Sequence, residues 1–98
     1  GKQISPKERR RKRAALQQEL APLKKKFLQL ESKIADYESK KESLETQLCD
    51  ESFFQQGDKA KAAVIEHQKV ELSLQEAYSD WETTGEEITT REAEIAKE

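Results

Sequence analysis

A heptad spacing of apolar residues constrains the fold of this 98-residue chain more than any other feature. In the first half of the chain the spacing alternates between four and three residues for more than four repeats, and only one member is charged. The members of this first stripe are Leu16, Leu20, Leu23, Phe27, Leu30, Ile34, Tyr37, Lys41, Leu44 and Leu48. The pattern is typical of a long α-helix that packs a narrow apolar stripe against a partner helix.

The second half of the chain repeats this pattern after a short interruption. The interruption contains a glycine and three candidate helix N-caps, Asp50, Ser52 and Asp58. Two helices joined by so short a connection are expected to fold back on each other, so we predict an all-α antiparallel coiled-coil hairpin. The members of the second stripe are Ala60, Ala63, His67, Val70, Leu74, Ala77, Trp81, Thr84, Ile88 and Ile95, with Val64, Leu72 and Tyr78 expected to widen it.

The two stripes also predict the segments of the chain and the pairs of residues that face each other. The predicted segments are a basic linker with the first turns of helix one at 1–15, hairpin helix one at 16–49, a tip loop at 50–58 and hairpin helix two at 59–97. If the chain reverses near residue 54, the predicted pairs are Phe27 with Trp81, Lys41 with His67 and Leu44 with Val64.

Two residues are expected to weaken the helices at one level of the hairpin. Pro22 lacks the amide hydrogen that would bond to the carbonyl of Gln18, so helix one is expected to kink or restart there. Gly85 lowers the helix propensity of the opposite arm at a similar level. We therefore expect a firm hairpin over residues 23–84. The open end of the hairpin, before residue 23 and after residue 84, is expected to be looser, and we call it the root.

Charge and composition narrow the class of protein. Residues 1–40 carry 12 basic and 5 acidic side chains, whereas residues 41–98 carry 6 and 15, so the two arms attract and a monomeric hairpin is favoured. With 39% charged and 34% hydrophobic residues, the chain is too polar to enclose a broad core. No apolar run approaches the roughly 20 residues of a membrane span, and no signal peptide is visible. The single cysteine fits a reducing cytoplasm, which is the expected location.

The chain itself is not expected to be an enzyme. It has no glycine-rich phosphate loop, and its one histidine, His67, has no neighbours that would complete a zinc site. We expect His67 to be a packed histidine and Cys49 to be a small apolar filler near the tip. Trp81 and Tyr78 are expected to belong to the core. No cofactor is expected in this chain.

The start of helix one is unusually basic. Ser5 and Glu8 form a predicted capping box, and Pro6 suits the first turn. The cations of this segment are Lys7, Arg9, Arg10, Arg11, Lys12 and Arg13. Cations in a first turn oppose the helix dipole, whereas phosphates around them would relieve their mutual repulsion. We predict a phosphate-directed nucleic-acid contact of low sequence specificity, which Lys24, Lys25 and Lys26 could extend. A solvated linker and contact with an anionic membrane surface are the open alternatives.

The predicted tip carries two adjacent aromatic residues, Phe53 and Phe54. They are expected to plug the open end of the stripes, and the alternative is a contact tip for a partner. The hairpin itself is expected to be a lever or spacer without a cavity.

The chain resembles the C-terminal coiled-coil domain of bacterial ABC-F ATPases, in particular the Uup-like and YheS-like branch. The similarity covers approximately residues 7–90 and rests on the basic lead-in, on residues 20–23 (Leu-Ala-Pro-Leu), on the tip at 48–54 (Leu-Cys-Asp-Glu-Ser-Phe-Phe) and on residues 77–82 (Ala-Tyr-Ser-Asp-Trp-Glu). The family tip reads roughly Leu-Ala-Asp-Pro-x-Phe-Tyr, so this chain departs from it at Glu51 and Phe54.

The resemblance implies a function that the residues alone do not show. Members of the family carry two ATP-binding cassettes upstream, where ATP and Mg²⁺ are expected to bind, and act at the ribosome on translation. The resemblance implies a non-catalytic C-terminal domain that contacts DNA or ribosomal RNA, here through the basic lead-in and residues 24–26. The alternative function is a structural coiled-coil spacer or dimerisation arm without nucleic-acid binding.

Overall fold

A computed structural model describes residues 4–97 of the chain as three α-helices. Helix α1 spans Pro6–Cys49, the one-turn helix α2 spans Glu51–Phe54, and helix α3 spans Asp58–Ala96. The molecule measures 73 × 20 × 15 Å, because α1 and α3 pack side by side along their length. The predicted all-α antiparallel hairpin is confirmed. The first three residues of the predicted basic linker, 1–3, lie outside the described residues.

The first stripe is the buried face of α1. All ten of its predicted members are buried or half-buried, and every other residue of α1 is exposed. Even the charged member, Lys41, is half-buried. A helix with one neighbour can bury one face only, so the heptad spacing of the sequence becomes the packing face of the structure.

The second stripe is confirmed for its ten members but not for the residues expected to widen it. Val64, Leu72 and Tyr78 are 39%, 62% and 42% exposed. The expectation that they, Tyr78 included, join the core is wrong. The physical reason is the architecture: α3 has a single long helix beside it, so side chains that project from its flanks and its outer face meet solvent.

The core combines mostly leucine side chains from α1 with a mixture of small and large side chains from α3. Its central cluster of buried residues consists of Ile34, Leu44, Ala63, Val70, Leu74 and Ala77. The buried alanines of the second stripe, Ala60, Ala63 and Ala77, leave room for the leucines and for Ile34 of α1. The partly buried residues that pack against this cluster are Tyr37, Leu48, Phe53 and Trp81.

An aromatic stack and several polar contacts set the register of the two arms. The rings of Phe27 and Trp81 are stacked with centroids 5.4 Å apart and an interplanar angle of 20°, so this predicted pair is confirmed. Leu44 lies in the buried cluster, whereas Val64 is exposed, so the predicted Leu44–Val64 pair is not part of the core. The approach of Lys41 to His67 stays a prediction.

Ion pairs and hydrogen bonds join the arms on the flanks of the stripes. The joined pairs are Glu19 with Arg91, Lys40 with Glu66, and Glu38 with Tyr78, which donates a hydrogen bond. The Lys40 ammonium, 2.5 Å away, lowers the pKa of Glu66 by hydrogen bonding and by its charge. Exposed pairs of this kind contribute little stability each, so their main effect is to favour this pairing of the arms over others.

His67 is the polar member of the second stripe and lies between two carboxylates. Its Nδ1 is 3.2 Å from Glu71 Oε1, and its Nε2 is 3.5 Å from Glu45 Oε2 on the other arm. Nε2 is buried and makes no hydrogen bond of good geometry within the described chain. The packed, partly satisfied histidine expected from the sequence is therefore what the structure contains.

Helix α1 passes through Pro22 without a break. The expected restart of the helix is therefore wrong, although the local bend that a proline favours stays a prediction. Leu20 on one side of Pro22 is buried and Leu23 on the other is half-buried, so packing against α3 holds both turns in place across the missing hydrogen bond. The contact between the arms also continues towards the root as far as Leu16.

The segment predicted as a tip loop contains the one-turn helix α2. Asp50 is its N-cap: its Oδ1 accepts hydrogen bonds from the hydroxyl and the backbone N–H of Ser52 at 2.8 and 3.0 Å. These bonds lower the pKa of the Asp50 carboxyl. Of the three predicted caps, only Asp50 acts as one, since Ser52 lies inside α2 and Asp58 inside α3. The turn into α3 is made at Gly57, whose φ of 50° is disfavoured for other residues.

The aromatic and cysteine residues of the tip differ in exposure. Phe53 packs against the core cluster, whereas Phe54 is 60% exposed, so of the two only Phe53 covers the end of the stripes. Cys49 is exposed, and the expectation that it fills the core is wrong. It follows the half-buried Leu48 directly, and consecutive residues of a helix point about 100° apart.

Two leucines of α3 provide a direct test of the stripe. Leu74 is 5% exposed and Leu72 is 62% exposed, although they lie two positions apart. We expect Leu74→Ala to lower the free energy of unfolding by about 2–5 kcal/mol, because it removes buried methyl groups from a thin core. Leu72→Ala should change it by less than about 0.5 kcal/mol. Urea denaturation followed by circular dichroism measures both, and equal effects would contradict the assignment of the buried face.

Hydrogen exchange tests whether the root is looser than the rest. Pro22 removes one hydrogen bond from α1, and Gly85 lowers the helix propensity of α3 at nearly the same level. We expect amides on the root side of these residues to exchange faster than those of residues 23–84. Uniform protection along both helices would contradict a separate root.

Candidate nucleic-acid interface

The basic run is part of a well-capped helix. Ser5 is the N-cap of α1, and its hydroxyl accepts a hydrogen bond from the Glu8 amide at 3.2 Å, as predicted. Pro6 occupies the first helical position, where its missing N–H costs nothing. The Ser5 carbonyl accepts the first helical bond, from the Arg9 amide at 3.0 Å. From residue 6 onwards, the segment predicted as a linker with first helical turns is therefore helical.

Six exposed cations surround the first turns of α1. They are Lys7, Arg9, Arg10, Arg11, Lys12 and Arg13, and we call them the basic collar. Successive residues of a helix are rotated by about 100° and rise by about 1.5 Å, so the collar encircles the helix over a length of about 9 Å. The first buried residue of α1, Leu16, comes after it. The collar therefore stands outside the apolar packing of the hairpin.

The second predicted group of cations does not form one patch with the collar. Lys24, Lys25 and Lys26 are exposed, but they lie about 20 Å further along α1 and point to three different sides. Lys25 shares the face away from α3 with Lys7 and Arg11. Lys24 instead lies in a groove beside carboxylates of α3, which offset its positive potential. The structure thus supports Lys25 as an extension of the collar better than Lys24.

The charge around the root of the hairpin is divided between the arms. Between residues 4 and 18, Glu8 is the one acidic residue beside the six cations. The last turns of α3 carry mainly acidic residues, and Arg91 there is held 2.9 Å from Glu19. The electrostatic potential is therefore positive on the α1 side of the root and negative on the α3 side.

The tip and the collar lie at opposite ends of a molecule 73 Å long. Phe53 and Phe54 therefore cannot share a small ligand with the basic residues. Within residues 4–97, no three or more His, Cys, Asp or Glu side chains are placed to hold a metal ion. None of the described helices has an apolar stretch of the length that a membrane crossing needs.

An open groove of about 940 Å³, which the sequence did not predict, lies between the arms near the root. Its floor contains the stacked rings of Phe27 and Trp81. Gly85 is part of its wall, and a Cβ at this position would lie 3.3 Å from Phe27 Cε2. A glycine inside a helix and opposite an aromatic residue is the sequence signal that could have indicated this close approach.

Comparison with known protein families identifies the hairpin. A family model described as the ABC transporter C-terminal domain matches residues 22–86. The chain belongs to this family. It is the C-terminal domain of an ABC transporter-family ATPase, and the resemblance found in the sequence is confirmed at this level. No curated protein and no solved structure gives a significant match to the chain.

The matched region of this ABC transporter C-terminal domain is the body of the hairpin. It begins at Pro22 and ends at Glu86, so it includes the tip, residues 24–26 and the Phe27–Trp81 stack. The basic collar precedes it. The family assignment therefore rests on the paired helices and not on the charged lead-in.

Proposed function

We propose that this ABC transporter C-terminal domain is the non-catalytic accessory domain of an ABC-F ATPase of the Uup-like and YheS-like branch. In this proposal the domain contacts DNA or ribosomal RNA through the basic collar, with Lys25 as a further contact. The observation that carries the proposal is the collar itself: six exposed cations on two turns of a helix, outside the packed stripe.

The energetics of the collar favour a polyanionic partner. Several cations beside the positive end of the helix dipole each raise the free energy of the helix by a few tenths of a kcal/mol or more. Neutralisation by phosphates removes this repulsion and releases counterions from the nucleic acid. The collar presents charge on all sides of the helix and carries no aromatic residue, so it is suited to phosphate tracking and not to base stacking.

The proposal places the chemistry of the parent protein elsewhere. ATP and Mg²⁺ would bind in cassettes of the parent, and the hairpin would serve as a monomeric arm that helps the parent act at the ribosome on translation in the cytoplasm. Its length supports this role, since a paired arm of 73 Å can carry the tip far from cassettes that lie upstream, while the collar lies at the end of the arm nearest to them.

A structural spacer is the second candidate function. It is favoured by the continuous pairing of α1 and α3, which extends from Leu16 to the tip. A spacer needs this stiffness but has no need of the collar. Nucleic-acid binding by the collar therefore separates the two functions.

Fluorescence anisotropy with duplex DNA and with structured RNA, over a range of salt concentrations, tests the proposal. If all six cations contact phosphates of a duplex, the logarithm of affinity should fall with the logarithm of salt with a slope of about −5. Arg9→Glu, Arg10→Glu and Arg11→Glu together should lower the affinity by orders of magnitude and reduce that slope by about 3. Helicity by circular dichroism should not change, because the stripe begins after the collar.

A matched variant controls for net charge. It reverses three exposed lysines of α3 near the tip, Lys59, Lys61 and Lys69, and so changes the charge of the chain by the same amount. We expect this variant to retain most of the binding. Equal losses in both variants, or no binding by the natural chain at low salt, would contradict the proposal and favour the spacer. Binding to anionic vesicles but not to nucleic acid would favour a membrane surface instead.

A further inference from the structure

The groove near the root has an apolar floor that nothing in the described chain covers. It is formed by Phe27 and Leu28 of α1 and by Trp81, Gly85 and Ile88 of α3. Leu28 is 66% exposed, although it lies beside the aromatic stack. Because Gly85 has no side chain, Phe27 lies close to the backbone of α3 and the space beside it stays open. On α3 the floor extends over two helical turns, from Trp81 to Ile88.

The rim of the groove is acidic. Glu31 of α1 and Glu82 and Glu86 of α3 line it, against a single cation, Lys24. Three carboxylates around an aromatic floor attract a cationic group and repel phosphate. The charge of the rim is thus opposite to that of the basic collar, and the groove is unsuited to nucleic acid.

We propose that this groove docks a basic amphipathic α-helix of a partner protein. In a three-helix arrangement, the third helix packs into the groove between the other two. The apolar groove between α1 and α3 offers such a surface. The apolar residues of the partner would lie on Phe27, Leu28 and Ile88, and a lysine or arginine beside them would reach Glu82 and Glu86. This surface is separate from the collar and does not depend on the proposed nucleic-acid contact.

Trp81 is the only tryptophan of the chain and lies in the groove, so its fluorescence is a direct probe of a helix bound there. The probe is a tryptophan-free, helix-stabilised peptide with a leucine stripe flanked by lysine and arginine. A second peptide carries glutamate at the same flanking positions. We expect the basic peptide to change Trp81 fluorescence with saturation, and the acidic peptide to bind at least about tenfold more weakly.

Two pairs of exposed-site variants test the rim and the floor. Glu82→Lys with Glu86→Lys should weaken binding of the basic peptide at least about tenfold, whereas Glu87→Lys with Glu94→Lys should not. The second pair changes the net charge equally, on the same helix but outside the groove. Leu28→Ser should weaken binding, whereas Leu72→Ser, at a similarly exposed leucine elsewhere, should not.

The outcomes separate the proposal from non-specific association. All four variants alter exposed side chains, so circular dichroism should show the same helicity as the natural chain. Saturable binding that is weakened by the rim and floor variants, but not by their control variants, supports a docking groove for a basic helix. No fluorescence change at about 1 mM peptide would overturn the proposal. Equal affinity for both peptides, or equal loss in the test and control variants, would overturn it too.

Discussion

Each long helix of this domain has one apolar stripe, and the stripe of the other helix covers it. The ten stripe residues on α1 and the ten on α3 include every fully buried residue of the described range 4–97. The hairpin direction, the length of 73 Å and the exposure of every other face follow from this single constraint. A thin core of this kind leaves function to the two ends and to the flanks.

Charge divides the root of the hairpin into two surfaces of opposite sign. The collar on α1 is positive, while the groove rim of Glu31, Glu82 and Glu86 is negative. The pair of Glu19 with Arg91 joins the arms between these regions. The proposed contacts with phosphates and with a cationic helix use these two surfaces separately. The charged residues of the collar and of the rim are exposed and lie outside both stripes, so they can vary without loss of the hairpin.

The sequence predicted the fold well, because a heptad pattern specifies both the secondary structure and the buried face. Its failures have local causes. Leu72 and Tyr78 lie on a helix with a single neighbour. Their residue types alone do not show whether they belong to the packed face or to the outer face of that helix. The helix continues through Pro22 because the residues on either side are packed. The groove was missed because it depends on the approach of Phe27 to Gly85, a distance that only the assembled pair of helices defines. For the collar, the sequence predicts a position before the first stripe, but a run of cations does not specify which polyanion, if any, it binds.

The central claim is that the two stripes pair within one chain in the register of the Phe27–Trp81 stack. Isotope-filtered nuclear Overhauser spectroscopy on an equal mixture of ¹³C-labelled and unlabelled chains tests it most directly. The ring centroids are 5.4 Å apart, so strong contacts between the Phe27 and Trp81 protons should appear, and only within a chain. The same contacts between labelled and unlabelled chains, or contacts of Trp81 with a different level of α1, would contradict the account.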